Sequence, residues 1–233
     1  MNAYPPPGAA PGPQGVGAPK LFREPAKTEA VQCPACGGPI TLRGFGAIEQ
    51  VACPYCGSEL APEESGALQI LAAVQRARQP SVLPLNARAT LDGSEWELIG
   101  IVWRQCVVDG VTYPWQEFLL YNPYRGYRWL IYQMTDGHWG LGEPLPGAPR
   151  TLSSSHKSVA FKGQTFKHFQ TSLAQVIYVE GEFPWQVHRG DQAVAHDYVA
   201  APAGLSIEQQ TTEDGGTDVT FTRMRHIEPG EVW

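Results

Sequence analysis

Cys33-Pro34-Ala35-Cys36-Gly37 and Cys53-Pro54-Tyr55-Cys56-Gly57 are the residues whose types and spacing speak most directly of chemistry. Two Cys-x-x-Cys-Gly knuckles with 16 residues between Cys36 and Cys53 have the paired spacing of a four-cysteine zinc site. Each knuckle bends two sulfurs toward one point, and the glycine behind it lets the backbone turn around a metal. A lone redox Cys-x-x-Cys beside a strand-helix pattern, a disulfide framework in a short secreted chain, and iron in place of zinc are the competing readings. Residues 1–30 hold no apolar signal segment, and no stretch approaches the length of a transmembrane helix, so a reducing cytoplasmic setting is expected, in which thiolates survive as ligands. Four cysteines fill the shell of a tetrahedral ion, leaving no position for substrate water. The expected cofactor is therefore one structural Zn²⁺ per chain, held by Cys33, Cys36, Cys53 and Cys56. Binding worth roughly 10–16 kcal/mol in small zinc modules would supply most of the folding free energy there. Only Ile40, Leu42, Phe45, Ile48, Val51 and Leu60 offer a miniature core.

The remaining chemistry-bearing side chains are less ordered in sequence. The six histidines are His138, His156, His168, His188, His196 and His226, and Cys106 is the fifth cysteine. None of them forms a His-Glu-x-x-His zinc motif, and the chain has neither a Gly-x-Ser-x-Gly elbow nor a phosphate-cradling loop with lysine. Cys106 lies in the run Ile101–Val108 and reads as a small buried hydrophobe. A ligand-binding or hydrolytic use would draw on His138, His196 or Asp197. As neighbours on a strand, His196 and Asp197 would face opposite ways and form no dyad by themselves.

Four segments must position these groups. Residues 1–30 carry seven of the 21 prolines and almost no large apolar side chain, the composition of a disordered tail. Residues 31–62 form the zinc ribbon. Residues 63–79 read as a linker helix, with Pro62-Glu63-Glu64 at its start and Leu68, Leu71 and Ala72 on one face. From residue 80 to 233 short apolar runs are punctuated by Asp109-Gly110, Asp136-Gly137, Gly163, Gly190-Asp191 and Asp214-Gly215, the pattern of an antiparallel β sandwich or barrel. Val219 and Phe221 alternate with Thr220 and Thr222 as in a half-buried strand. Tyr113-Pro114-Trp115-Gln116 recurs as Phe183-Pro184-Trp185-Gln186, 70 residues later, which would suit two similar β subunits. The fold class expected is mostly β: ribbon, short helix, then an antiparallel sandwich or barrel.

Tyr113-Pro114-Trp115-Gln116-Glu117-Phe118-Leu119-Leu120-Tyr121-Asn122-Pro123, Gly126-Tyr127-Arg128-Trp129-Leu130 and Gly137-His138-Trp139 resemble the bacterial family called domain of unknown function 4178. Gly181-Glu182-Phe183-Pro184-Trp185, Gly190-Asp191, Asp197-Tyr198-Val199, Pro202 and Leu205-Ser206-Ile207-Glu208 match its later landmarks, so the resemblance covers about residues 80–230. It implies an N-terminal zinc ribbon on Cys33, Cys36, Cys53 and Cys56, and a role beside membrane-stress and polyamine-related genes. It assigns no catalytic residue. Many similar proteins continue into membrane-spanning segments, whereas this sequence has none, as a stand-alone or truncated form would.

Charge bears on the partner. From residue 80 onward 11 Lys+Arg stand against 17 Asp+Glu, a balance of −6 that repels phosphate and makes a nucleic-acid-binding ribbon the lesser reading. Arg76 and Arg78 offer a small patch, as do Arg125 and Arg128 beside Tyr124 and Tyr127. The expected function is a non-catalytic scaffold or binding protein in a stress-related or membrane-associated assembly, reaching the membrane only through a protein partner. Trp115, Trp139, Trp185, Arg125 and Arg128 are the expected binding residues, although core packing alone accounts for most tryptophans on strands.

Overall fold

The structure is a computed structural model and describes residues 29–42, 48–63, 65, 67–74, 79–152, 155–212 and 215–232. The tail through residue 28, Arg43, Phe45, Gly66, Arg76, Arg78, Asp214 and Trp233 lie outside the described residues. The strands, in chain order, are β1 (Glu29–Gln32), β2 (Pro39–Leu42), β3 (Gln50–Ala52), β4 (Glu59–Pro62), β5 (Leu68–Ala72), β6 (Arg88–Leu91), β7 (Ser94–Val108), β8 (Val111–Asn122), β9 (Gly126–Gln133), β10 (Trp139–Pro144), β11 (Arg150–Thr151), β12 (Ser158–Phe161), β13 (Gln164–Phe183), β14 (Gln192–Ala200), β15 (Ala203–Thr211) and β16 (Thr217–Ile227). A single helical turn, α1 (Pro229–Val232), ends the described chain.

Eight strands run antiparallel in the order β7-β8-β9-β10-β16-β15-β14-β13, and β13 pairs back onto β7, closing a barrel. Closure removes the sheet edges that an open sheet would expose. Asp109 and Gly110 both adopt positive φ, 50° and 78°, in the two-residue turn joining β7 to β8, whose backbone twist matches that of the strands. At the seam, Gly181 of β13 sits at φ 102°, and a Cβ there would lie 2.3 Å from the Ile99 carbonyl oxygen. Only a residue without a side chain lets β13 approach β7 so closely.

The barrel strands are apolar on both faces because both faces are covered. Arg104 of β7 reaches Glu208 of β15 at 2.8 Å, and these strands are not neighbours in the ring, so the pair crosses the lumen and marks the inner face. Val102 shares that face by the two-residue period, and buried Leu119, Tyr121, Val176, Val179 and Phe183 pack with it. On the outer face Leu98, Ile101, Phe118, Leu120, Leu130, Leu141 and Ile227 are covered by Leu83, Leu91 and Trp96. The β11–β12 hairpin covers a second outer cluster through Val159, against Phe166, Tyr198 and Leu205. Continuous apolar runs such as Phe118-Leu119-Leu120-Tyr121 follow from this double coverage.

Three expectations are corrected. Residues 68–72 form strand β5, hydrogen-bonded to β4, and no linker helix spans them. Over so short a run helical and strand spacing are indistinguishable by apolar pattern, and the open edge of β4 decides for the strand. The β domain is one closed barrel, and the echo does not mark equivalent strands of two similar subunits, because Tyr113-Pro114-Trp115-Gln116 lies inside β8 whereas Phe183 ends β13 and Pro184-Trp185-Gln186 follow it outside any strand. In β16 burial does not follow the alternation: Val219 (40% exposed) and Thr220 are both exposed, and Phe221 and Thr222 are both half-buried.

Candidate metal centre

Each cysteine knuckle is built the same way. In the first, the Cys33 N–H donates to Gly38 O (2.9 Å) and the Gly37 N–H to Cys33 O (2.8 Å); in the second, Cys53 donates to Ser58 O and Gly57 to Cys53 O, both at 2.9 Å. Gly37 and Gly57 take φ of 73° and 75°. Repeated backbone geometry at equal sequence spacing turns four sulfurs onto one centre, all within 4.8 Å of one another. Cys33 and Cys56 stand 3.9 Å apart, as do Cys36 and Cys53. Sulfurs about 2.3 Å from a tetrahedral ion are separated by roughly 3.8 Å, so the four fit a single metal. Beneath them lie Ile40, Val51 and Leu60, with Leu42, Ile48 and Leu68 alongside.

The thiols sit in unlike surroundings. Burial pushes Cys53 up to about 12. At Cys56 burial also opposes ionisation, yet Ser58 and the neighbouring sulfurs outweigh it and bring the thiol down to about 7. The Gly38 N–H favours the Cys36 thiolate, but burial and the Cys56 and Cys33 sulfurs leave it raised. Four such groups ionise together only when a cation offsets their charge.

This module is continuous with the barrel. Gln50, Val51 and Ala52 of β3 pair with Phe183, Glu182 and Gly181 of β13, extending the sheet at the seam. The fully buried Gln50 side chain donates to Val187 O (2.7 Å) and accepts from Val187 N–H (2.6 Å). Glu59 Oε2 lies 2.5 Å from His188 Nδ1, and the Asp191 carboxylate accepts the His188 N–H.

The lumen holds charge that sequence reading did not single out. Arg104 lies 2.8 Å from Glu208 and 3.6 Å from Glu117, and Trp115 donates its indole N–H to Glu117 at 2.7 Å. Burial raises the Glu117 carboxyl, with Glu208 adding to the effect and Arg104 and Trp115 opposing it. Arg104 Nε is buried without a hydrogen-bond partner among the described residues. The available signal was the polar pair Arg104-Gln105 inside the run Ile101–Val108, and Glu49-Gln50 between Ile48 and Val51 is a like case.

The residues proposed for binding occupy different places. Trp115 faces the lumen charges, Trp185 packs on Trp129 with centroids 5.7 Å apart, and Trp139 stacks on Tyr132 at 4.7 Å on the outer face. Arg125 and Arg128 share a narrow recess with Trp96 and Glu143; Arg128 donates to Glu143 at 3.0 Å and lies 5.5 Å from the Trp96 ring. Tyr124 is 81% exposed, whereas Tyr127 packs on Tyr121. His196 and Asp197 point to opposite sides: His196 bonds Thr171, itself bonded to His168, and Asp197 accepts from Gln170. Cys106 is buried, its thiol pushed up by that burial. His138 pairs with Asp136 at 2.9 Å beside a cavity of about 190 Å³ at one mouth of the barrel.

Among the described residues no helix is long and apolar enough to cross a membrane. A family model described as Domain of unknown function (DUF4178) matches residues 84–225, from the segment before β6 into β16. No curated protein and no solved structure matches the chain.

Proposed function

Because the chain belongs to the DUF4178 family, whose match spans every strand of the barrel, we propose that it is a non-catalytic binding protein in which one structural Zn²⁺ fixes an N-terminal recognition module to a ligand- or partner-holding barrel. The observation that carries this reading is the four-sulfur cluster: its spacing suits zinc and leaves no coordination position for substrate. The pairing of β3 with β13 supports a module held in fixed orientation, the arrangement a scaffold needs. Thiolate ligation favours a reducing compartment such as the cytoplasm, and a protein is the partner class in keeping with the acidic barrel. Elemental analysis of the purified full chain is the test. Close to one zinc per chain, lost in Cys53→Ser, is expected. Iron, or no metal, would overturn the reading.

A second reading has its own support. An eight-stranded barrel is just wide enough to be filled by side chains or to hold one small ligand. Here the inner wall carries Arg104, Glu117 and Glu208 where an apolar filling would have sufficed, which favours a polar small-molecule ligand in the lumen.

A further inference from the structure

The mouth of the barrel between β10 and β16 gathers donors that neither the four-cysteine cluster nor the lumen charges use. Register places Gly140 opposite His226 and Gly142 opposite Met224. His138, two residues before Gly140, and Met224, two before His226, therefore share one face of the sheet. All three side chains line the cavity of about 190 Å³. Gly140 lines it without a side chain, and a Cβ there would make ordinary contact with the Met224 methyl group at 3.8 Å. The His138 and His226 ring centres are 5.6 Å apart. An imidazole nitrogen about 2.0 Å from a metal puts its ring centre roughly 3 Å from the ion, so two rings on one ion stand roughly 4.5–6 Å apart.

Each ring is also oriented from behind. His138 Nδ1 lies 2.9 Å from Asp136 and His226 Nε2 lies 3.2 Å from Glu228. Among the described residues the other ring nitrogen of each has no hydrogen-bond partner. A carboxylate on one nitrogen fixes the tautomer and makes the other a better metal ligand. Arg225, the cation lining the same cavity, is engaged by Asp92 at 3.0 Å and Glu231 at 3.4 Å.

We propose that His138, His226 and Met224 form a second metal site, selective for copper, at this mouth of the barrel. Imidazole ligands suit copper, nickel and zinc alike, copper(II) binds most tightly of the divalent series, and the thioether adds a soft donor that copper(I) favours. This site is independent of the zinc reading, since it shares no residue with the four cysteines.

The test is titration of the zinc-loaded full chain with Cu(II), followed by electron paramagnetic resonance and by zinc release. One equivalent should give a signal with nitrogen coupling from two imidazoles while zinc is retained, and His138→Ala or His226→Ala should weaken binding at least about tenfold. Both histidines are partly exposed, and circular dichroism verifies that the variants fold. After reduction, X-ray absorption should show a copper–sulfur distance that Met224→Leu removes. Copper that displaces zinc, a signal unchanged in the histidine variants, or copper–sulfur scattering unchanged in Met224→Leu would overturn the proposal.

Discussion

Around the four cysteines the buried apolar side chains among the described residues are Cys33, Ile40, Val51, Cys53 and Leu60, whereas the barrel packs separate clusters on the inner and outer faces of the same strands. The small module lacks enough burial to offset its chain entropy, and on the proposed reading an ion held by its sulfurs would make up the difference; the barrel relies on strand closure and double-sided packing. They nevertheless share a seam. Ala52 of the module packs in the inner cluster of the barrel, and Phe183 of the barrel pairs with Gln50 of the module. Two units stabilised by different physics can thus be one cooperative structure when a strand is common to both sheets.

Metal removal tests that sharing with the largest expected effect. Chelation, or Cys53→Ser, should withdraw binding worth roughly 10–16 kcal/mol from the module and unfold it. If the seam matters, the loss should spread. Amide exchange at Gly181, Glu182 and Phe183 should accelerate, and the thermal midpoint of the barrel should fall by several degrees. Unchanged protection at these three amides would mean that the barrel stands without its neighbour.

Gln50→Ala attacks the seam from the other side. It leaves both Val187 backbone groups without their amide partner in a buried position, at a cost of about 1–3 kcal/mol. Denaturant unfolding should show that loss, and a zinc-chelator competition should show the metal held less tightly. A stability loss with unaltered metal affinity would divide the molecule back into two independent parts.

How much of this was legible in sequence follows the same contrast. The cysteine knuckles announced themselves because metal geometry constrains spacing within a few residues. The strand runs were visible for most of β7, β8 and β9, where turn residues such as Asp109-Gly110 bracket them. The barrel's closure was not, since it depends on β13 pairing with β7 across more than 60 residues of chain. The missed charges have the same cause. Arg104, Glu117 and Glu208 are scattered in sequence and meet only because three strands curve around one lumen. The 68–72 strand failed for a local reason, its partner β4 being the deciding influence.

The smallest predicted effect concerns those lumen charges and asks whether the barrel tolerates them as ions. Burial, the dominant influence on Glu117, raises its carboxyl above the ordinary carboxylate range, and Glu208 acts in the same direction. A carboxyl that holds its proton more tightly folded than unfolded contributes fully below its unfolded value of about 4.3, and that contribution disappears as pH rises through the folded value. Glu117→Gln mimics the protonated form at every pH. Its thermal midpoint should therefore match wild type in acid and move above it toward neutrality. Arg104 keeps Glu208 at 2.8 Å in the variant, so the cation is not stranded. The opposite trend, a variant that is relatively weaker at neutral pH, would show that the Arg104 attraction overcomes burial and that the lumen, unlike the four-cysteine module, balances its charges without a bound ion.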